Sequence, residues 1–569
     1  MEVSFHFLWE FEFKKVKTIL NDEKGMDKMA FNHSEKLINQ IYDVSFKADV
    51  LVIGGGPAGA WAALSAKKNG ATVILVDKGY CGTSGATAPS GNGVWYIPPD
   101  KEKREEAMRS REALGGFLSE RKWMKRVLEQ TYESVNQLAE WGYPFPVDEN
   151  GVVHKRSLQG PEYMRLMRRK LVKSKVKILD HSPALELLYD SNGVAGAAGV
   201  NTQTGETWSV QASSIVIASG GCAFLSKALG CNVLTGDGYL LASEAGAEFS
   251  GMEFSNAYAI TPKFSSITKT AFYQWASFTY EDGTIIEGAG SHKGRSIIAK
   301  TLQQGKKVFA QLDKAKDNTE LQKWMRIAQP NFFLQFDRMG INPFEDRFEV
   351  TLRLEGTVRG TGGIRIIDET CATSVPGLFA AGDAATRELI CGGFTGGGSY
   401  NAAWAISSGY WSGEAAAKYA LSFNRNNLDR TLSRKQVIGI NEQRTSHNNG
   451  LDANEVIRHV QAEVMPFDIN LFRTEEKLSS SLQRLHSIWH EAKTSLKENK
   501  GNIVRVREAA AMLATSRWMY TAALERKETR GMHKRLDFPK IDENQQHRLI
   551  TSGLDEIKVT ADTHNFQTV

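Results

Sequence analysis

Apolar residues form three short continuous runs along the chain, and each run ends in a glycine-rich turn. The runs are "ADVLVIGGG" from Ala48, "SSIVIASGG" from Ser213 and "GLFAAGD" from Gly377. A continuous apolar run of this length, without alternating polar residues, is typical of a parallel strand buried on both faces. The first run continues into "PAGAWAALSAKK" and "TVILVD", so the segment 48–77 predicts a strand, a tight turn, a helix and a second strand.

The pattern changes twice further along the chain. Between Ser250 and Val350 it is rich in aromatic residues and short polar turns and has no strand–helix–strand rhythm, and after about Asn424 it becomes helical and charged. We therefore predict an α/β fold in five segments. These are an N-terminal extension (1–45), a parallel-sheet domain in two parts (46–249 and 351–425), an inserted α+β capping domain (250–350) and a C-terminal helical domain (426–569).

Composition narrows the class of protein. A chain of 569 residues is longer than a single domain with one hydrophobic core, so we expect several domains. A formal net charge of only +5 argues against nucleic acid as the main partner. The five cysteines are an odd number without a C-x-x-C pair, so they predict reduced thiols and neither a disulfide framework nor a zinc or iron–sulfur site.

The sequence also predicts where the protein is found. No apolar stretch approaches the roughly 20 residues of a transmembrane span. The N-terminal apolar run contains Glu10 and Glu12 and lacks the basic segment and the cleavage site of a signal peptide. We expect a cytoplasmic protein whose translation can start instead at Met26 or Met29, with the state of assembly left open.

The first glycine-rich turn has the spacing of a dinucleotide site. Its sequence "GGGPAG" places Gly54, Gly56 and Gly59 as G-x-G-x-x-G between a strand and a helix. The first glycine permits the turn, the second lets the backbone approach a pyrophosphate, and the third lets the helix pack on the strand. Asp77 ends the second strand near the spacing expected for an acid that binds the adenosine ribose.

The stretch "VPGLFAAGDAATRELICGGFTGGGSYNAA" from Val375 indicates which dinucleotide is bound. It resembles the second fingerprint of FAD proteins, in which an acid after an "AAG" strand bonds the ribityl chain or its neighbouring phosphate, and Asp383 fits that role. The glycines that follow leave room for a flat ring. Ser399 then opens a helix whose N-terminal amides would face the flavin ring, where negative charge grows on reduction.

Taken together, the motifs resemble the flavoprotein subunits of the succinate dehydrogenase and fumarate reductase superfamily, which includes L-aspartate oxidase and the adenylylsulfate reductase alpha subunit. The matching stretches, in order, are "TSGATAPSGNGVW", "LTGDGYLLASEAGAEFSGMEF", "KGRSIIAKTLQQGKKVFAQLD", "GTVRGTGGIRIID" and "RWMYTAALERKETRGMHKRLDFP". The resemblance implies a Rossmann-like FAD-binding domain with an inserted capping domain. The implied cofactor-binding residues are Gly54, Gly56, Pro57, Ala58, Gly59, Asp77, Lys78, Ser84, Gly85, Gly220, Asp237, Gly382, Asp383, Ser399, Asn401 and Ala402.

The chain departs from the superfamily pattern at the positions that bind the substrate and at the position that attaches FAD covalently. Members that attach FAD covalently use a histidine near Ser84, and Gly85 stands at that place, so we predict non-covalent FAD. Dicarboxylate enzymes have two histidines where this chain has Tyr258 and Val358, and an arginine in the glycine-rich stretch, where the nearest arginine is Arg387. A dicarboxylate needs fixed donors at both ends, so succinate and fumarate are poor candidates.

The remaining polar residues suggest an anion site. The resemblance places the family's proton-shuttle arginine on Arg295, although an arginine seldom gives up its proton and serves more naturally as an anion clamp. Arg359 stands where a residue would face the flavin, and Tyr258 could donate to a substrate oxygen. His292 could face the site if the turn before Arg295 is helical. The predicted catalytic residues are therefore Arg295, Arg359 and Tyr258, without a metal.

Three functions fit this pattern. The favoured one resembles adenylylsulfate reductase: an FAD-dependent oxidoreductase that acts on a small anion and exchanges electrons with a separate, ferredoxin-type iron–sulfur protein. That relative, too, has uncrosslinked FAD and no dicarboxylate clamp. The second is an oxidase of the L-aspartate oxidase type, and the third is a flavin-bearing electron-relay or assembly subunit without substrate chemistry of its own.

Overall fold

The computed structural model describes residues 42–147, 151–268, 270–291, 294–395, 397, 399–423, 432–435, 450–496 and 501–562. The N-terminal extension up to residue 41 lies outside these ranges, and so do His292, Gly396 and Gly398. None of the helices within the described ranges combines the length and the hydropathy needed to cross a bilayer.

The described elements alternate between strands and helices in the first half of the chain. The strands are β1 (Val44–Ile53), β2 (Val73–Val76), β3 (Gly91–Gly93), β4 (Ser157–Gln159), β5 (Lys177–Leu179), β6 (Ala184–Asp190), β7 (Gly193–Val200), β8 (Thr207–Ile217), β9 (Phe249–Ser250), β10 (Ala257–Pro262), β11 (Ser277–Thr279), β12 (Val308–Gln311), β13 (Phe348–Gly356), β14 (Gly363–Ile364), β15 (Leu378–Ala380), β16 (Ser433–Arg434), β17 (Leu549–Ser552) and β18 (Lys558–Ala561). The helices are α1 (Pro57–Lys68), α2 (Lys101–Leu114), α3 (Arg121–Glu140), α4 (Gly160–Lys173), α5 (Asp237–Ala245), α6 (Arg295–Gln303), α7 (Thr319–Ala328), α8 (Pro330–Met339), α9 (Glu388–Cys391), α10 (Ser399–Ser422), α11 (Ala453–Val464), α12 (Glu475–Ser495) and α13 (Ile503–Glu525).

The three apolar runs of the sequence lie side by side in one sheet. Strand β8 pairs in parallel with β1, with Ile215 opposite Leu51, and its last residues pair in parallel with β15. β1 pairs in parallel with β2, and β2 with β5. Strand β7 pairs antiparallel with the first half of β8, and β6 pairs antiparallel with β7. Strand β16 pairs antiparallel with β6. Because parallel strands end at one edge, the turns after β1, β8 and β15 meet there.

Two glycines bring helix α10 against helix α1 at this edge. A Cβ on Gly409 would lie 2.4 Å from the carbonyl oxygen of Ala58, and one on Gly413 would lie 2.1 Å from that of Ala62. The small residues of both helices therefore allow backbone contact, which fixes the N-termini of α1 and α10 beside each other. The two glycine-rich stretches of the sequence, more than three hundred residues apart, become one site.

The capping domain is built on an antiparallel sheet in the order β10–β13–β12–β11, with α6, α7 and α8 around it. Its strand β13 ends at Gly356, six residues beyond the boundary that the sequence predicts, because the alternating burial of "FEVTLRLEG" continues through that boundary. The chain then re-enters the parallel-sheet domain through the segment 357–364.

The last segment is helical for most of its length but not at its end. Helix α13 is buried on all sides, which is typical of a helix at the centre of a domain. Beyond it, β17 pairs with β18 and also with β9, in a small sheet that includes β14. The predicted helical segment 426–569 therefore ends in two strands that join the parallel-sheet part of the molecule, which four-residue strands without alternation do not reveal in sequence.

A buried carboxyl lies where α13 meets the parallel-sheet domain. The Oε2 atom of Glu388 accepts a hydrogen bond from the Oγ atom of Ser250 at 2.5 Å, while its Oε1 atom has no hydrogen-bond partner among the described residues. Burial, and then the charge of Glu253, raise the pKa of Glu388 to about 8. The folded protein thus keeps this group protonated at neutral pH, where the unfolded chain has released the proton.

This raised pKa predicts a pH-dependent gain in stability for Glu388→Gln. The folded state binds the extra proton between the ordinary carboxyl pKa and about 8, so stability falls as pH rises through that window. Glutamine removes that loss. We expect the free energy of unfolding to change little at pH 5 and to increase by on the order of 4 kcal/mol at pH 9. Urea unfolding at both pH values measures it, and an equal change at both would contradict it.

Candidate active site

A cavity of about 490 Å³ lies at the carboxyl edge of the parallel strands, between the parallel-sheet domain and the capping domain. It brings together most of the residues that the sequence singles out. Those that line it are Gly54, Gly56, Pro57, Ala58, Asp77, Lys78, Ser84, Gly85, Gly220, Asp237, Arg295, Arg359, Gly382, Asp383, Ser399, Asn401 and Ala402. Gly59 and Tyr258 are not part of its lining.

The turn after β1 has the geometry that the glycine spacing predicts. Gly54 has φ +110°, and a Cβ there would lie 2.4 Å from the carbonyl oxygen of Ala218, the residue that follows the neighbouring strand β8. A Cβ on Gly59 would lie 1.8 Å from the carbonyl oxygen of Gly54, so this glycine seats helix α1 on the turn. Gly56 faces open space, with nothing within 4 Å of its would-be Cβ. The first turn of α1 has no acidic residue, so its positive end is free to face a phosphate.

Asp77 holds the two loops of this region together. Its Oδ2 atom accepts from the backbone N–H of Gly55 at 2.6 Å, and its Oδ1 atom accepts from the N–H of Gly79 at 2.8 Å and the hydroxyl of Ser84 at 2.7 Å. The carboxylate lines the cavity, but both of its oxygens already have protein donors. Its role in binding an adenosine ribose stays a prediction. The structure shows that it connects the two loops through hydrogen bonds.

Lys78 is committed to an ion-pair network. Its Nζ atom donates to Asp237 at 2.7 Å, to Thr235 at 2.8 Å and to Glu508 of α13 at 2.6 Å. Burial lowers the pKa of Lys78, but Asp237 and Glu508 more than offset this effect and hold it above its ordinary value. An ammonium has three donors, and these contacts let Lys78 orient Asp237 at the cavity wall. Its role in binding the cofactor stays a prediction. Nothing in the sequence singles out Glu508.

Asp383 is fixed by an arginine that does not reach the cavity. The Nη1 atom of Arg387 donates to Oδ1 of Asp383 at 2.5 Å, and its Nη2 atom donates to the carbonyl oxygens of Thr357 at 2.6 Å and Gly360. Arg387 is completely buried. It therefore orders the loop after β13 and is not in a position to clamp a substrate.

Arg111 is an arginine at the cavity that the sequence does not single out. Arg111 of α2 donates from Nη2 to the carbonyl oxygens of Phe394 at 2.9 Å and Thr395 at 2.6 Å, and its guanidinium lies 4.2 Å from the ring centre of Tyr400. It holds the glycine-rich stretch against α10 and lines the cavity. The run "KREEAMRSREAL" contains several arginines, and the sequence does not distinguish the one that turns inward.

The capping domain contributes a charged cluster to the cavity. Arg295, at the start of α6, and Arg359, in the loop after β13, both line it. Glu355 of β13 is wholly buried, lies 3.2 Å from Nη1 of Arg359 and accepts from the hydroxyl of Thr268 at 2.6 Å. Burial, and then the charge of Arg359, lower the pKa of Arg295 to about 10, and Glu355 opposes this shift. The two guanidiniums thus bring positive charge to one part of the cavity wall, which favours an anion there.

Tyr258 does not belong to this cluster. Its hydroxyl donates toward the carbonyl oxygens of Val464 at 3.1 Å and Met465 at 3.0 Å, on the side of the C-terminal helices. Only its backbone serves the site, because its carbonyl oxygen accepts from Nη1 of Arg295 at 2.8 Å. The prediction that this side chain donates to a substrate is therefore corrected. All six residues of β10 are buried, without alternation. The sequence therefore does not tell on which face of the strand the ring of Tyr258 lies.

The cavity fits a bound dinucleotide. Glycines line it where side chains would fill the space, and two helix N-termini open toward it. In addition, several buried polar atoms beside it have no hydrogen-bond partner within the described part of the chain. These atoms are Oγ of Ser219, Oδ1 of Asn401, Nε of Arg111 and Nε of Arg359. Such atoms are costly unless a ligand satisfies them, so the donor set suits a polar, anionic group with a flat, apolar part.

Comparison with known proteins agrees with this geometry. The family model described as "FAD binding domain" matches residues 49–262, and "Fumarate reductase flavoprotein C-term" matches residues 458–569. A fumarate reductase (CoM/CoB) of Methanothermobacter marburgensis has a chain that is 26% identical over 545 residues, covering 87% of this chain and 95% of the relative. The L-aspartate oxidase of Streptomyces coelicolor is 24% identical, covering 91% and 94%.

Solved structures share the fold over nearly the whole chain. The quinol fumarate reductase flavoprotein of E. coli aligns with a TM-score of 0.75 at 19% identity, covering 92% of this chain and 98% of that one. The adenylylsulfate reductase of Archaeoglobus fulgidus aligns with a TM-score of 0.70 at 16% identity, covering 91% and 96%. At these identities the likeness shows the fold.

Proposed function

Because this chain belongs to the succinate dehydrogenase and fumarate reductase superfamily of flavoproteins and is an FAD-dependent oxidoreductase, we propose that it oxidises or reduces a small anion other than a dicarboxylate. We propose further that the FAD is not covalently attached and that a separate, ferredoxin-type iron–sulfur protein exchanges electrons with it. Among the superfamily activities, adenylylsulfate reductase is the model we favour.

The observation that carries the proposal is the pair Arg295 and Arg359 at the capping-domain side of the cofactor cavity. Both guanidiniums are largely removed from water, and the buried carboxylate of Glu355 pairs with Arg359. A desolvated cation pair of this kind gains most from a compact anion that accepts hydrogen bonds from both groups.

The departures from the superfamily pattern argue against succinate, fumarate and aspartate. A dicarboxylate needs donors at both of its ends, and three side chains that the superfamily pattern uses for this purpose are replaced or turned away. Val358 replaces a histidine, the hydroxyl of Tyr258 is turned toward the C-terminal helices, and Arg387 is buried behind Asp383. We therefore assign the cationic pair to one anionic group.

Bound FAD would supply the two-electron chemistry, and the protein would supply position and charge. Gly54, Gly56 and the start of α1 would hold the pyrophosphate, and the start of α10 would face the flavin ring. Arg295 and Arg359 would bind the anion and exclude water from it. Glu355 would hold Arg359 in place through the 3.2 Å ion pair and Thr268 through its hydroxyl.

The test is an anaerobic titration that follows the flavin absorbance of the purified chain. Succinate, L-aspartate, and sulfite with AMP are added separately. Sulfite is an informative probe because a solved structure of an adenosine-5-phosphosulfate reductase with this fold holds it as a covalent adduct. Bleaching that needs both sulfite and AMP supports the proposal, because sulfite without AMP can bleach a flavin by forming an adduct and transferring no electrons. Bleaching by succinate or aspartate overturns it. Protein that carries FAD but responds to none of the three would leave another substrate or an electron-relay subunit.

A further inference from the structure

One loop borders both the cofactor cavity and a groove on the protein surface. Within the segment 80–90, the residues that line the cavity are Ser84, Gly85, Ala86 and Thr87. The residues of the same segment that line the groove are Tyr80, Gly82, Thr83, Ala88 and Pro89. The groove therefore lies directly behind the wall of the cofactor cavity.

The other wall of the groove is helix α4, and it combines apolar and basic side chains. Its groove-lining residues are Pro161, Glu162, Arg165, Arg168, Arg169, Val172 and Lys173. Val172 is 60% exposed and Tyr80 across from it is 41% exposed, so two large apolar side chains face solvent together. The guanidinium of Arg168 lies 4.0 Å from the ring centre of Tyr80, which holds the ring in place.

The rim of the groove is positive. The groove is lined by four cations, Arg165, Arg168, Arg169 and Lys173, and by the carboxylate of Glu162, and Asp180 lies beside them as a second carboxylate. Both carboxylates are already paired, Glu162 with Arg165 and Asp180 with Arg168. Burial, followed by repulsion from Lys173 and Arg169, lowers the pKa of Lys170, which reflects the crowding of like charges.

We propose that this groove is the docking surface for the electron-transfer partner, and that the partner is a small acidic protein of the ferredoxin type. The proposal rests on the function proposed above. An acidic surface complements the basic rim, and the exposed side chains of Tyr80 and Val172 provide apolar contact area in the groove. A partner docked there would contact the segment 80–90, whose residues also line the cofactor cavity. Two reduced clusters would each give one electron, and the flavin would take both together with a proton from solvent.

The experiment measures binding and electron transfer separately. The FAD-loaded chain is titrated calorimetrically with an oxidised, acidic two-[4Fe–4S] ferredoxin at low and high salt, and the rate at which the reduced ferredoxin reduces the flavin is followed anaerobically. The test variant is Arg165→Glu/Arg169→Glu/Lys173→Glu. The control variant is Lys103→Glu/Lys122→Glu/Lys125→Glu, which reverses three exposed cations at α2 and the start of α3. That end of α3 is roughly 25 Å from its other end, where Trp141 contacts Lys170 of the groove helix.

We expect the test variant to bind ferredoxin at least about tenfold more weakly at low salt and to lose most of the salt dependence, with the control changing less than about twofold. Reduction by dithionite should be the same in all three proteins. Equal losses in both variants would overturn the proposal, because net charge and not this groove would then govern binding. Wild-type protein that binds vesicles of phosphatidylglycerol through the groove but not the ferredoxin would also overturn it. Neither result would touch the proposed substrate chemistry, which the donor titration tests independently.

Discussion

Gly59→Ala is expected to yield no folded, FAD-loaded protein, whereas Gly56→Ala is expected to fold normally and to bind FAD at least about 100-fold more weakly. A Cβ on Gly59 would lie 1.8 Å from the carbonyl oxygen of Gly54, and the obstructing atom belongs to the backbone of a turn, so no side chain can rotate away. Separating α1 from β1 would cost more than the roughly 1 to 3 kcal/mol of an ordinary overpacked site.

Gly56 is the matched control because it occupies the same turn without the clash. Its φ of −70° suits any residue, and nothing lies within 4 Å of its would-be Cβ. A methyl group there would meet the pyrophosphate alone, and a 100-fold loss of affinity corresponds to about 2.7 kcal/mol. FAD binding by fluorescence quenching and folding by circular dichroism separate the two effects. Normal FAD affinity in Gly56→Ala would show that the pyrophosphate does not approach this turn.

Arg295→Gln is expected to lower the rate of substrate-driven flavin reduction by about 100- to 1,000-fold, while reduction by dithionite stays unchanged. The side chain is one of two cations that would hold the anion, and removing one such group from a water-excluded site typically has this cost. The assay is anaerobic stopped-flow absorbance with the donor identified by the titration. Arg353→Gln serves as the control, since Arg353 lies on β13 and bonds the carbonyl oxygens of Ser226 and Ser265 away from the cavity.

The pH profile gives a second readout of the same arginine. Burial and Arg359 lower the pKa of Arg295 to about 10, and a cation is present only below its pKa. Anion binding by the wild-type protein should therefore hold up to about pH 9 and weaken as pH rises through about 10. Arg295→Lys should retain activity near neutral pH and lose it at a lower pH than wild type, because the same burial acts on a group of lower ordinary pKa.

A wild-type rate in Arg295→Gln would show that Arg359 binds the anion alone.

The sequence predicted the parallel-sheet core and the glycine-rich turns at its edge well, because both depend on local patterns. Continuous apolar runs mark strands buried on both faces, and Gly54, Gly56 and Gly59 mark a turn whose steric demands only glycine meets. The position of Asp383 after an apolar strand follows the same logic. In each case the spacing along the chain carries the information that the fold uses.

Contacts between distant segments could not be predicted in this way. The sequence does not indicate that Glu508 completes the bonding of Lys78, that Arg111 turns inward, or that the hydroxyl of Tyr258 turns away from the cavity. Each outcome depends on how the helical segment or α2 packs against the parallel-sheet domain. The strand β17 was missed for a related reason, since its partner β9 lies about three hundred residues earlier.

The pairing of β15 with β8 affects how the protein folds while it is being synthesised. The strand that pairs with β8 on the side away from β1, at Ile215 and Ile217, is β15, about 160 residues later in the chain. A ribosome adds roughly 5–20 residues per second, so the edge of β8 stays unpaired for about ten to thirty seconds before β15 has been made. An unpaired apolar strand edge is a site of aggregation, so a nascent chain of this kind needs chaperone cover until the capping domain has been made and β15 has emerged.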